Sequence, residues 1–520
     1  MPKKLLAALF PPKDPFAPRL AGVYRIGRAL LVALVVLVTV RLVWGCSSTA
    51  HLNRALDRVH QAHLPLAMRE VPLPEVPEDQ DAWPLYAELL RAADQRGVGM
   101  APLLEDQARR QPLSEADKAR LEVGRADEML LKNWQPGDPM DATIKQQMTE
   151  RLKGNQDLLD SLAQAARKGS IRWRVTDDPA RPLEVNTLPL ITLARLMLAR
   201  AAIAFDENRP ADGLEDLGVV YRVAYQIRQC PMVEMHLMEA MLVLESSAAL
   251  QRALPHIDAA REKFARLIAD CQGGPIAGPL RTATEFTIAW LNGTYLSLMA
   301  GGRGVGPAIE VFALRPLIDA SYARVWELLA DLVPMIDGTY AHFIVPVEQR
   351  CQAAGGGATG EWLRANMQRE LSAAHAAAVS EALRGMSQLA LAARSWQLAH
   401  GGSLPDSLDV LAGDLLPAVP ADPMTDQPLQ YVRGGEAPRF YSVGLDRKDN
   451  QGSCDRKDDI LGQKDHDICF SLTGLPANPI TASRPASEPA SAAATGPASA
   501  PDPAASAPAA AASAPASRPS

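Results

Sequence analysis

Between Met232 and Met241 four methionines stand three residues apart, with Glu234, His236 and Glu239 among them. Thioethers and an imidazole suit a soft ion such as copper(I). Methionine at helical spacing is more simply explained as adaptable core packing. Glu234, His236 and Glu239 are also the first residues to consider for a hydrolytic site assembled between helices. They do not form the two-histidine pattern of a zinc protease, and no Gly-x-Ser-x-Gly elbow occurs. The glycine clusters Gly301–Gly306 and Gly355–Gly360 lack the Lys-Ser/Thr pair of a phosphate loop. Six cysteines include no Cys-x-x-Cys pair, so zinc and thioredoxin-like chemistry lack their signature. Cys454 and Cys469 bracket a short polar loop and can form a disulfide in an oxidising compartment. Cys230, Cys271 and Cys351 read as small buried apolar residues. Local sequence therefore gives no catalytic constellation.

The elements around these residues are more legible. At 520 residues the chain exceeds one ordinary core. Its net charge of −7 and lack of a long basic run leave nucleic acid without an electrostatic footprint. From Ala29 to Val40 runs an unbroken apolar stretch. If Arg41 snorkels, it extends through Trp44 to Cys46, which suffices to cross a bilayer. Lys3, Lys4, Lys13, Arg19, Arg25 and Arg28 precede it, whereas only Arg54 and Arg58 follow within the same distance. That bias predicts a cytoplasmic N-terminus and an extracytoplasmic, periplasmic bulk on a single-pass inner-membrane anchor. Two other readings tether or process the chain differently: a cleaved signal peptide, or a lipoprotein with Cys46 as the lipidated residue.

A membrane-proximal linker is expected over 47–78, ending in the stiff Pro-rich segment before Glu78. Asp81 can cap a helix with Pro84 in its first turn, and Ser114 with Asp117 makes an approximate capping box. One long amphipathic segment is expected from Asp141 to Arg167. Leu188–Phe205, Gly213–Arg228 and Pro231–Leu254 read as successive helices, followed by a fourth ending near Cys271. More helices are expected at Thr284–Leu298, Leu317–Leu332 and Glu361–Ala399. Short Pro-containing breaks between long helices imply hairpins stacked as a bundle or irregular solenoid. After Pro476 the composition collapses to Ala, Pro and Ser, which predicts a disordered tail.

From Leu383 to Phe470 the order changes to a long helix, a short helix, then two or three strands. Tyr431-Val432 and Phe440 to Val443 are the strand candidates, with a turn at Gly434 and Gly435. The motifs Leu404-Pro405, Asp422-Pro423, the Tyr-Ser-x-Gly-x-Asp of Tyr441 to Asp446, and Asp458-Asp459-Ile460 resemble the C-terminal half of the major pseudopilin of type II secretion. The resemblance implies a small α+β module whose acidic loop binds calcium. Its candidate ligands are Asp446, Asp449, Asp458 and Asp459, with Asn450 helping. Clustered carboxylates on a Gly-containing loop can supply the six to eight oxygens calcium takes. The sequence departs from the family at Arg447 and Gln451, and residues 1–50 lack a prepilin start.

The expected organisation is a basic cytoplasmic leader (1–28), an anchor (29–46), a linker (47–78), a helical domain (79–372), the pseudopilin-like module (373–472) and the tail (473–520). The fold class is mainly α. The expected function is non-enzymatic: a membrane-anchored envelope protein whose helical domain meets other envelope proteins. An envelope hydrolase and a secretion-system accessory protein are the alternatives.

Overall fold

An apolar run free of proline propagates as helix until something stops it, and here it continues past the expected boundary. Helix α1 spans Leu20–Gln61 in the computed structural model. The model describes residues 20–134, 139–300, 305–353, 360–413, 415–434, 438–453 and 466–472, with backbone alone at 20–27, 305–313, 360–364 and 366. Along α1 the large apolar side chains from Leu30 to Trp44 are 45 % to 66 % exposed. Beyond them Leu52, Ala55 and Val59 are buried. The stretch expected as linker from Ser47 is therefore helical to Gln61. Its i, i+3, i+7 apolar spacing gives it a face to bury.

Among the described residues thirteen further α-helices follow. Helices α2 (Trp83–Arg96), α3 (Ala101–Arg110) and α4 (Glu115–Lys132) come first. Ser114 caps α4, its hydroxyl oxygen accepting the Asp117 N–H at 3.1 Å. Asp81 accepts the Trp83 N–H at 2.9 Å and holds the entry to α2. The segment expected to be one helix from Asp141 is two, α5 (Ala142–Gly154) and α6 (Gln156–Ala166), separated at Asn155. The Asn155 amide bonds back to the Arg151 carbonyl at 3.0 Å, a local alternative to continuing the helix.

The centre is built from α7 (Leu188–Asp206), α8 (Pro210–Arg228), α9 (Val233–Ala253) and α10 (Arg261–Asp270). Then come α11 (Ala277–Ala300), α12 (Val305–Leu332), α13 (Tyr340–Ala353) and the 40-residue α14 (Gly360–Ala399). Helix α7 is long and apolar enough to cross a membrane, but its apolar window is 61 % buried, which marks it as a core helix. α12 packs along α1, α14 along α9, and each of α7, α8 and α9 on its neighbour in sequence. Cys230 and Cys271 are buried in this interior, as expected.

Strands β1 (Gln430–Val432), β2 (Arg439–Ser442) and β3 (Ile468–Ser471) form a small antiparallel sheet in that order. Its register sets Tyr431 against Phe440 and Phe440 against Phe470. Both phenylalanines join the same apolar core as α14. The tail from 473 onward lies outside the described residues.

Candidate functional site

The C-terminal sheet is clipped together by Asp422. Its carboxylate accepts the Met424 N–H and the Ser442 hydroxyl on one oxygen, at 2.9 and 2.8 Å. The other oxygen accepts the Val443 N–H at 2.9 Å. Burial pushes this carboxyl's pKa up, and those three donors oppose the shift. The Asp-Pro turn is thereby fixed to the end of β2, from which the acidic loop departs. Gly444 has φ +75°, and a Cβ there would strike the His466 carbonyl, so the loop leaves through a position only glycine fits.

In that loop Asp446 accepts the Lys448 N–H at 3.1 Å. Asp449 accepts the Gln451 N–H at 2.7 Å and the Tyr441 hydroxyl at 3.2 Å. Asp467, which the sequence reading did not single out, accepts the Asn450 N–H at 3.2 Å and the Gly452 N–H at 2.7 Å. Burial pushes the Asp467 carboxyl up, the two N–H donors oppose it, and the Asp449 and Asp446 charges add to the rise. These acids thus repel one another, and hard oxygens of that kind are the donor chemistry calcium takes. Among the described residues, however, no three acidic, histidine or cysteine side chains are arranged to hold a metal. Asp458, Asp459 and Cys454 lie outside the described residues. Cys469 is disulfide-bonded, whereas Cys46, Cys230, Cys271 and Cys351 are free.

The three α9 residues do not converge. Glu234 pairs with Arg369 at 2.5 Å beside an apolar recess of about 210 Å³ lined by Met232, Phe286 and Trp290. His236 is wholly buried, and burial together with the Arg228 charge lowers its pKa to about 3. A neutral imidazole follows at any physiological pH. Glu239 is 0 % exposed and accepts from Ser380 at 2.5 Å and from Arg384 at 3.1 Å. Met235 is buried in the core, as packing requires.

Chemistry gathers instead where α14 meets the turns before the sheet. A cleft of about 340 Å³ is lined by Gly274, Tyr340, Glu381, Arg384, Gln388 and Asp426, among others. Arg384 forms its inner wall, 1 % exposed, with its guanidinium 5.8 Å from the centre of the Tyr221 ring. Buried Arg228 donates to Glu381 at 2.8 Å and to the Gly274 carbonyl at 2.7 Å. Gly273 approaches the Glu381 carboxylate so closely that a Cβ there would displace it.

The cleft also connects to the acidic loop. The Tyr340 hydroxyl lies 2.7 Å from His375 Nδ1, and His375 Nε2 lies 3.7 Å from Glu348. Glu348 accepts in turn from Arg447, inside the loop, at 3.1 Å. This ion pair ties the loop at Arg447 to α13. No family model, curated protein or solved structure matches the chain. The functional reading therefore rests on this geometry and on α1.

Proposed function

We propose that the chain is a membrane-anchored, extracytoplasmic binding protein that carries no catalysis of its own. The observation that carries the anchor is the continuity of α1. Leu30 to Trp44 leave their apolar side chains without protein cover, and the same helix then buries Leu52, Ala55 and Val59 in the body. Twelve exposed large apolar side chains in water are unfavourable by tens of kcal/mol at ~25 cal/mol per Å² (order of magnitude), and a bilayer removes that penalty. Continuity into the core also argues against removal of the segment, since cleavage near Cys46 would expose the end of a packed helix. The basic residues from Lys3 to Arg28 support a cytoplasmic N-terminus. The anchor reading makes a simple prediction. The full chain stays in the membrane pellet through alkaline carbonate extraction. A Leu34→Arg, Leu37→Arg variant, with about 2.5–3.5 kcal/mol opposing insertion per arginine, is released. A wild-type chain found in the supernatant would remove the anchor.

In this reading the helical body supplies the interaction surface and the cleft beside Arg384 receives a ligand or a partner's side chain. For the C-terminal module the reading is the pseudopilin-like one that its motifs suggest. Helix, Asp-Pro clip and antiparallel strands occur in the family's order, and a second Asp-Ile pair, Asp467-Ile468, stands at the start of β3. Asp446 and Asp449, with Asn450, would then contribute to a calcium shell together with Asp458 and Asp459, which lie outside the described residues. Calcium would supply charge neutralisation that fixes the loop. Thermal melting of the full chain in detergent is expected to show a midpoint that rises with calcium and not with magnesium. Asp446→Ala, Asp449→Ala should abolish the rise. An unchanged wild-type midpoint at millimolar calcium would leave the Cys454–Cys469 disulfide as the loop's staple.

A further inference from the structure

We propose that the end of α11 and residues 314–317 of α12 form a second membrane contact, seated in the outer boundary of the bilayer beside α1. This rests on the membrane reading of α1 and adds a surface to it. Four leucines carry the proposal: Leu296 (56 % exposed) and Leu298 (43 %) at the end of α11, and Leu314 (52 %) and Leu317 (39 %) on α12. Most other exposed large apolar residues outside α1 are scattered singly, which is ordinary for a protein surface.

Their height relative to α1 follows from the contacts between the helices. Pro316 lies 4.0 Å from the Cβ position of Gly45. Thr49 donates to Asp319 at 3.0 Å, and Arg58 pairs with Asp331 at 3.6 Å. Partners rise together in number, so α1 and α12 run parallel, and residues before Pro316 lie toward the apolar span. The Tyr295 hydroxyl donates to the other oxygen of Asp319 at 2.8 Å, which ties the end of α11 to the same level. Counting about 1.5 Å per residue, Leu296 and Leu298 sit just below the level of Thr49. Leu314 and Leu317 bracket the level of Gly45. From Arg28 to Gly45 the helix rises roughly 26 Å, and the hydrocarbon core is about 30 Å thick. If Arg28 marks the inner boundary, all four leucines fall at the outer edge of the hydrocarbon.

The neighbouring residues fit that boundary. Arg315 is half exposed beside Asp319, with a stem that can lie along lipid and a head that reaches water or phosphate. Trp44 is exposed at the same level. Aromatic rings of this kind concentrate at membrane interfaces. Two contacts instead of one would fix the tilt of the body against the bilayer, whereas a lone span leaves it free to swivel.

The test places a photo-crosslinking benzoylphenylalanine singly at Leu37, Leu298, Leu314 and Met129 of the full chain in phosphatidylcholine vesicles. Met129 is a comparably exposed residue on α4. The expected result is lipid adducts at Leu37, Leu298 and Leu314, and at least tenfold less at Met129. Adducts at Leu37 alone would overturn the second contact and leave the anchor standing. No lipid adduct at Leu37 would overturn the anchor reading and this inference with it. Adducts equal at Met129 would mean non-specific surface labelling and would also overturn it.

Discussion

Replacing Arg384 by Ala lowers the unfolding free energy by about 3–5 kcal/mol, the cost typical of stranding one partner of a buried ion pair. Arg384 and Glu239 are 1 % and 0 % exposed, and they meet 145 residues apart in sequence, across α9 and α14. Without the guanidinium, Glu239 keeps only the Ser380 hydroxyl on one oxygen, and its other oxygen has no hydrogen-bond partner. A carboxylate left so in a dry interior either pays its desolvation or takes up a proton. Arg384→Met combined with Glu239→Leu removes both charges and fills similar volume, so most of the loss should be recovered. Denaturant midpoints of the two single variants and the double decide this. A loss below about 1 kcal/mol in Arg384→Ala would mean that water reaches Glu239 through the cleft.

The second large effect is a pH dependence centred on Glu370. Burial raises its pKa to about 7 from an ordinary 4.5. Thr287 and Thr284 hydroxyls and the Arg369 charge oppose the rise, and Glu234 adds to it. The folded state therefore favours the neutral carboxyl. Its stabilising contribution is full below about pH 4.5 and is lost as pH rises through about 7. At 1.36 kcal/mol per pH unit the loss is about 3 kcal/mol. Glu370→Gln keeps shape and hydrogen bonding but cannot ionise, so the difference between the two chains should shrink to near zero at low pH. Above pH 7 the variant should be the more stable by about that amount. Parallel stability profiles from pH 4 to 8 would show that Glu370 ionises in water-like surroundings.

The contrast between what sequence did and did not disclose follows contact range. Helices α7 to α9 were placed within a few residues because apolar periodicity and the prolines at 189, 210 and 231 are local signals. Ser114 acted as read, since a cap involves residues two or three positions away, whereas Asp81 stands one residue before the cap position Ala82 and holds the Trp83 N–H from there. The continuation of α1 was missed although Leu52, Ala55 and Val59 carry a helical face, because the polar residues between them resembled a linker. Asp467 drew no attention, since the turn it organises lies 15 to 17 residues upstream. Arg384 and Glu381 were equally silent as partners. A charged residue in the Ala- and Leu-rich run around Leu383 was the available sign, and only the fold could say what it meets.

Protease access to the body in oriented vesicles tests the central claim most directly. Membranes containing the full chain are prepared right-side-out and inverted, and treated with protease without detergent. Digestion of everything beyond α1 in right-side-out vesicles, with protection in inverted ones, is the result predicted by the positive-inside bias at Lys3 to Arg28. Protection in right-side-out vesicles with digestion in inverted ones would put the body in the cytoplasm and contradict the account.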